Sequence, residues 1–101
     1  MMKELLNQIT LLYVEDDYTI RPVLQRVLER RVKNLYVAKD GQEGYEKFLE
    51  FHPDIILTDI KMPRLNGIEM SKMIKDIKPD VPIIVVSAHS EAGFFLECIE
   101  L

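Results

Sequence analysis

The stretch DIILTDIKMPRLNG, residues 54–67, leads from a short apolar run through a turn to the start of a helix. Residues 55–57 have the length and character of a strand that is buried on both faces. The run ends on the carboxylate of Asp59. Asn66, with Glu69 three residues later, has the spacing of a helix capping box. The stretch therefore predicts a buried strand with an acidic end, followed by a helix.

The same order of strand and helix recurs along the chain. Strand-length apolar runs occupy residues 10–14, 35–38, 54–58 and 81–87, and a segment with helical spacing follows each of them. Residues 91–101 are predicted to form the fourth of these helices. Strict alternation of strand and helix predicts a parallel sheet with crossover helices. Four such units cannot close an eight-stranded barrel, so an open, doubly wound sheet is expected.

The predicted helices begin at recognisable residues. The first helix has apolar residues at i, i+3, i+4, i+7 and i+8, namely Ile20, Val23, Leu24, Val27 and Leu28. Asp17 directly precedes this stripe and is expected to be its N-cap. Asp40 and Glu43 repeat the capping-box spacing of Asn66 and Glu69.

Composition and charge narrow the function classes. A chain of 101 residues with 48% hydrophobic residues can bury one core, so residues 1–101 are expected to form a single domain. The net charge of -4 provides no basic surface for direct nucleic-acid binding. The single cysteine, Cys98, cannot form an internal disulfide and suits a reducing compartment, so a cytoplasmic location is expected. No apolar run is long enough to span a membrane.

Polar side chains stand at three of the four predicted strand ends. Glu15 and Asp16 follow the first strand, Asp59 ends the third, and Ser87 ends the fourth. Ligands of open parallel sheets bind at the carboxyl ends of the strands. If the first and third strands are neighbours, the three carboxylates meet at one edge of the sheet. Two carboxylates about 4 Å apart repel each other by roughly 4 kcal/mol at an effective dielectric of 20. A cluster of oxygen ligands without histidine or cysteine points to Mg²⁺.

Such a site has the parts needed to take up a phosphoryl group. Asp59 would attack, Mg²⁺ would neutralise the equatorial oxygens, and Ser87 would donate a hydrogen bond. Each residue alone could equally be a solvated loop or turn residue, and only the combination favours function. A phosphatase of the haloacid dehalogenase type would need a second aspartate where Lys61 stands. A flavin carrier would need a Ser/Thr/Gly-rich loop after the first strand, where the acidic residues would instead repel a phosphate.

These motifs resemble the receiver domain of two-component response regulators. The matching segments are VEDD at 14–17, HPDIILTD at 52–59, the Met62-Pro63 pair with Gly67, and VVSA at 85–88. The resemblance runs from about residue 10 to the end of the chain. It implies a flavodoxin-like, doubly wound parallel sheet with strand order 2-1-3-4, of which four βα units are present, and a phospho-accepting signalling function.

The resemblance also implies the metal ligands of the site. Asp59 is the expected phospho-acceptor and one of the residues around Mg²⁺. Asp16 is the expected direct ligand, and Glu15 the second member of the acidic pair, acting through water. The backbone carbonyl of Lys61 matches the remaining protein ligand.

Further roles follow from the same resemblance. Ser87 matches the switch hydroxyl, and Ala88 the small residue beside it that leaves room for the phosphoryl group. The expected donor is a phosphohistidine on a sensor histidine kinase or a phosphotransfer protein. The domain is not expected to be an enzyme beyond catalysing its own phosphorylation and dephosphorylation.

The sequence departs from the family pattern towards its end. Receiver domains have a fifth strand carrying a lysine before a proline, and a fifth helix, whereas this chain stops at Leu101. The Lys78-Pro79 pair precedes the fourth strand, so no catalytic lysine is present. The expectation is a receiver domain that is incomplete at its C-terminus, with weak or absent phosphorylation.

The same departure predicts self-association. An exposed fourth strand, or a sheet face covered by a single helix, would offer a surface to a second copy of the chain. The alternative function is therefore a chemically incompetent receiver that acts only as a binding or self-association module.

Overall fold

Strands and helices alternate along most of the chain, and their bounds are taken from a computed structural model. It describes residues 5–62, 64–89 and 95–100, and the side chains of those up to residue 86. The strands are β1 (Thr10–Val14), β2 (Asn34–Ala38), β3 (Ile55–Asp59), β4 (Ile83–His89) and β5 (Phe95–Glu100). The helices are α1 (Arg21–Glu29), α2 (Gly41–Phe51) and α3 (Gly67–Ile77).

The five strands form one sheet in the order β2-β1-β3-β4-β5. β1 pairs in parallel with β2 and β3, and β3 pairs in parallel with β4. The predicted strand order 2-1-3-4 and the parallel sheet are confirmed. Because Val14 pairs with Thr58 and Asp59 pairs with Val86, the carboxyl ends of β1, β3 and β4 share one rim.

The prediction of a helix over residues 91–101 is wrong where the structure describes that segment. Phe95–Glu100 forms β5, which runs antiparallel to β4. As β5 the segment pairs with the outer backbone edge of β4, and this pairing outweighs its mixed local preference. The expectation that the fourth strand is an exposed edge is therefore also wrong, because β5 pairs with it. Association through the sparsely covered face of the sheet stays a prediction.

The hydrophobic core lies between the sheet and the helices α2 and α3. Alternate residues of each strand point to this face. The cluster includes Leu12, Val14, Ile56, Ile83 and Val85 from the strands and Phe48, Met70 and Ile74 from the helices. Side chains from three parallel strands thus interlock with two amphipathic helices, and this face of the sheet is closed.

The helix α1 lies against the opposite face and covers it less completely. No residue of α1 is buried, and the side chains of Val23 and Val27 are 60% and 42% exposed. The apolar stripe predicted from the sequence exists, but about half of it faces outward. This face of the sheet therefore stays open beside α1.

The starts of α2 and α3 follow the predicted capping pattern. Asn66 and Glu69 form a full capping box, in which each side chain accepts a hydrogen bond from the backbone N–H of the other. Asp40 accepts from the N–H of Glu43, but Glu43 accepts from the N–H of Lys39 instead of from Asp40. Within the described ranges, no helix has the length and apolar character needed to cross a bilayer. The cytoplasmic location stays a prediction.

Candidate functional site

Three carboxylates meet at the rim of the sheet. Glu15 and Asp16 follow β1 directly, and Asp59 is the last residue of β3. One carboxylate oxygen from each residue lies within 4.8 Å of the other two. The meeting expected from the parallel topology is present, because the neighbouring strands β1 and β3 end at the same level.

Burial and mutual repulsion raise the pKa values of Glu15 and Asp59. Glu15 is only 8% exposed, and its burial, together with the negative charges of Asp59 and Asp16, raises its pKa from 4.5 to about 7. Burial likewise raises the pKa of Asp59, although the N–H of Ile60 opposes the shift. In the described part of the chain, no lysine or arginine lies within ion-pair distance of these carboxylates. A divalent cation would relieve the repulsion.

The carboxylate of Asp59 is held in a fixed orientation. Its Oδ1 accepts a hydrogen bond of 2.8 Å from the N–H of Ile60, and its backbone carbonyl accepts one of 2.9 Å from the hydroxyl of Thr58. Gly67, the first residue of α3, donates its N–H to the carbonyl of Ile60 at 2.8 Å. A Cβ atom at Gly67 would collide with the carbonyl oxygen of Asp59. The start of α3 thus packs directly on the end of β3.

The loop between β3 and α3 is also anchored to α2. Arg64 adopts a left-handed backbone conformation with φ 72°, and its guanidinium lies 3.5 Å from the buried carboxylate of Asp40. Gly41 leaves room for the carbonyl of Leu65, which a Cβ atom would strike. These contacts fix the loop that carries Lys61.

Two openings reach the acidic cluster. A cleft of about 460 Å³ is lined by Asp16, Ile60, Lys61, Met62 and Asn66, so the residue predicted to offer its carbonyl borders the same space as the Asp16 carboxylate. A groove of about 780 Å³ opens on the α1 face. Its walls include Glu15 and Asp59 together with Val23, Leu24 and Val86. The rim is therefore accessible from both sides.

The prediction that Asp17 caps the first helix is confirmed in its hydrogen bonds but not in its position, because the residue directly before α1 is Ile20. The Oδ1 atom of Asp17 accepts hydrogen bonds from the N–H and the hydroxyl of Thr19, at 2.8 and 2.6 Å, and from the N–H of Ile20 at 3.4 Å. Its carbonyl accepts one of 2.9 Å from the N–H of Arg21, the first residue of α1. These bonds close a turn between the acidic pair and α1, and so Asp17 shapes the loop that follows the pair.

Arg21 is a site residue that the sequence reasoning missed. Its Nη1 donates to the backbone carbonyls of Glu15 and Asp16, at 2.8 and 3.4 Å. In the sequence it lies between Ile20 and Val23 of the apolar stripe, a position that predicts only a solvated polar side chain. One sequence signal could have indicated its role. Arg21 stands in the first turn of the helix, where the helix dipole disfavours a positive charge, so a compensating contact outside the helix is expected. The guanidinium holds the backbone from which both carboxylates project.

Tyr13 was missed as well. It is 2% exposed, and its hydroxyl has no hydrogen-bond partner within the part of the chain that the structure describes. Burial and the negative charges of Glu15 and Asp59 raise the pKa of the phenol. No sequence signal marks it, because an aromatic residue in an apolar run is expected in a core.

Ser87 and Ala88 lie in β4 just past Val86, the register partner of Asp59. Their side chains fall outside the described residues, so the switch and phosphoryl-binding roles stay predictions. The backbone register alone places both residues at the rim where β1 and β3 end.

A family model described as the response regulator receiver domain matches residues 11–101. The chain belongs to this family. The match covers α1 to α3 and β1 to β5 except for Thr10, the first residue of β1, and it includes the whole acidic rim. The chain is thus a receiver domain of the response regulators of two-component systems.

Relatives of known sequence and structure agree with this assignment. The receiver domain is 35% identical over 100 residues to a protein-glutamate methylesterase/protein-glutamine glutaminase of Clostridium acetobutylicum, covering 95% of the chain but 29% of that protein. The chain spans less than half the length of the curated relatives it matches.

Two solved structures show the same fold. The response regulator domain of Thermotoga maritima CheB superimposes with a TM-score of 0.73 and 40% identity, covering 86% of this chain and 66% of that one. The N-terminal domain of an uncharacterized protein of Wolinella succinogenes gives 0.76 and 39%, with coverage of 83% and 68%.

Proposed function

We propose that this receiver domain accepts a phosphoryl group on the carboxylate of Asp59 in the presence of Mg²⁺. The observation that carries the proposal is the cluster of three carboxylates at one rim, with Asp59 fixed at the end of the central strand β3. Clustered carboxylates without a paired base repel one another, and their arrangement suits a cation and a group that the cation binds.

The donor set fits magnesium. Asp16 and Asp59 would bind the ion through carboxylate oxygens, Lys61 through its backbone carbonyl, and Glu15 through a water molecule. All of these are hard oxygen ligands, which Mg²⁺ prefers. When bound, the ion neutralises the charge that develops on the transferred phosphoryl oxygens.

The residues of the chain then position the reaction. Because Oδ1 of Asp59 accepts the hydrogen bond from Ile60, Oδ2 is the oxygen left to attack phosphorus. An O–P bond forms to Oδ2 while the P–N bond of the donor phosphohistidine breaks, and its electron pair returns to the imidazole ring. Ser87 would donate a hydrogen bond to a phosphoryl oxygen, and Ala88 would leave space beside it.

The transfer is expected to be slow. Within residues 5–62 and 64–86, no basic side chain pairs with the Asp59 carboxylate, so the chain's described residues offer no cation to the phosphoryl group besides what a metal supplies. The phosphoryl donor would be a sensor histidine kinase or a phosphotransfer protein, and the domain would act in the cytoplasm as a signalling module. It would catalyse only its own phosphorylation and dephosphorylation.

Phosphorylation by acetyl phosphate in the presence of Mg²⁺ tests this function. Mass spectrometry of the intact chain should show the addition of one phosphoryl group. The adduct should be lost in Asp59→Asn and retained in Asp54→Asn, which changes an exposed carboxylate at the opposite end of the same strand. An adduct that persists in Asp59→Asn would show that the acceptor is a different residue. No adduct in the wild type would favour a binding module without phosphoryl chemistry.

A further inference from the structure

The hydroxyl of Tyr13 is a buried polar group without a partner among the described residues. Of the side chains the structure describes, it is the one buried polar atom left unpaired. Leaving such a group without a hydrogen bond costs about 1–3 kcal/mol, so native structures rarely keep one without a reason. A phenylalanine would fill the same space at no such cost.

Strand geometry places this hydroxyl on the same face as the acidic cluster. Glu15 follows β1 directly and is two residues from Tyr13, and its N–H still donates to the carbonyl of Ala38 on β2 at 3.0 Å. The extended pairing thus continues through Glu15, so the side chains of Tyr13 and Glu15 point to the same side of the sheet. Their Cα atoms are about 6.6 Å apart, from two rises of about 3.3 Å. Tyr13 also pairs in register with Leu57, which lies two residues before Asp59. The phenol therefore lies on the sheet face below the acidic rim.

The Glu15 carboxylate has unused capacity for a donor. Its Oε2 accepts one hydrogen bond from the N–H of Asp17, at 3.2 Å, whereas an ionised carboxylate can accept about four. The tyrosine side chain is long enough to span the distance between the two Cα atoms. The negative charge of Glu15 also acts on the phenol and raises its pKa, which agrees with this proximity.

We infer that Tyr13 is a positioning residue of the acidic site. Its hydroxyl donates a hydrogen bond to the Glu15 carboxylate when a divalent cation occupies the site, and this bond fixes the orientation in which Glu15 faces the cation. Groups that hydrogen-bond to metal-binding side chains orient them and strengthen binding. The inference rests on the proposed function, because it needs the cation to bind at the rim.

The substitution Tyr13→Phe tests this role, because it removes the hydroxyl and keeps the ring. The dissociation constant of Mg²⁺, measured by calorimetry on the whole chain, should rise about tenfold. Without Mg²⁺, the melting temperature should stay the same or increase, because the variant loses an unpaired buried hydroxyl. The control is Tyr36→Phe on β2, which should change neither quantity.

The possible outcomes separate this inference from the proposed function. Unchanged Mg²⁺ affinity in Tyr13→Phe, with normal binding by the wild type that Asp16→Asn abolishes, would overturn the role of Tyr13 alone. A variant that melts several degrees lower without Mg²⁺ would also overturn it, since the hydroxyl would then already serve the fold. A wild type that binds no Mg²⁺ would overturn both.

Discussion

The two faces of the sheet differ in how completely they are covered. On the face of α2 and α3, the side chains of Ile56, Val85 and Phe48 are almost completely buried. On the face of α1, the side chain of Val23 is 60% exposed, and a groove leads to the acidic cluster. Both faces are built from alternate residues of the same strands.

The difference indicates that the closed face provides most of the stability and that the open face carries the acidic site. Apolar burial on the closed face supplies the free energy of folding. This free energy offsets the cost of the clustered carboxylates at the rim of the open face and of the unpaired Tyr13 hydroxyl beneath them. Substitutions on the closed face should therefore change stability, and those on the open face should change ligand binding.

The largest effect is expected at Gly67, where one residue affects both the packing of α3 and the position of Asp59. A methyl group in Gly67→Ala would collide with the carbonyl of Asp59 and push α3 away from β3. The free energy of unfolding should fall by about 3 kcal/mol in urea titrations. Binding of Mg²⁺ should weaken as well, because Asp59 moves. A variant with normal stability and normal binding would show that the helix start does not set the position of Asp59.

The same substitution on the two faces sharpens the comparison. Val85→Ala removes two methyl groups from the closed core and should lower the free energy of unfolding by about 2 kcal/mol. Val23→Ala removes the same atoms from the open face and should lower it by less than about 0.5 kcal/mol. Equal losses in urea denaturation would contradict the view that α1 contributes little burial.

The open face should give the protein a characteristic pH dependence. The pKa of Glu15 is about 7 in the folded protein and about 4.5 when unperturbed, so the folded state binds this proton more tightly. In the absence of divalent cations, the free energy of unfolding should therefore fall as the pH rises from about 4.5 to about 7. Glu15→Gln should flatten this decline. A wild type whose stability rises over this interval would contradict the assigned pKa.

The smallest effect is expected at Arg21. Arg21→Lys keeps the charge but loses the planar guanidinium that reaches the carbonyls of Glu15 and Asp16. Mg²⁺ affinity should fall about two- to threefold, with little change in the melting temperature. Arg26→Lys in the last turn of α1 is the matched control and should leave the affinity unchanged. If both variants bind Mg²⁺ equally well, the loop does not depend on Arg21.

Much of the fold could be predicted from local pattern. The four parallel strands were visible because each is a short apolar run, and a helical segment follows the first three of them. The acidic cluster followed from topology, because neighbouring parallel strands bring Asp16 and Asp59 to one rim. The capping box at Asn66 could also be predicted, since its hydrogen bonds join residues three apart.

The remaining features depend on contacts that the pattern does not encode. The strand Phe95–Glu100 was mistaken for a helix because short apolar runs fit both periods, and pairing with β4 decides between them. Asp17 caps the turn at residues 18–20, and α1 itself begins only at Arg21, which the spacing of the apolar residues does not show. Tyr13 and Arg21 act through a hydroxyl and a guanidinium whose positions depend on tertiary structure.

Formation of a beryllofluoride adduct tests the central claim most directly. Fluorine NMR of the protein with beryllofluoride should show a bound signal that requires Mg²⁺ and is lost in both Asp59→Asn and Asp16→Asn, while Asp54→Asn retains it. A bound signal that forms without Mg²⁺, or that survives in Asp59→Asn, would contradict the account of the acidic rim as a magnesium-dependent phospho-acceptor site.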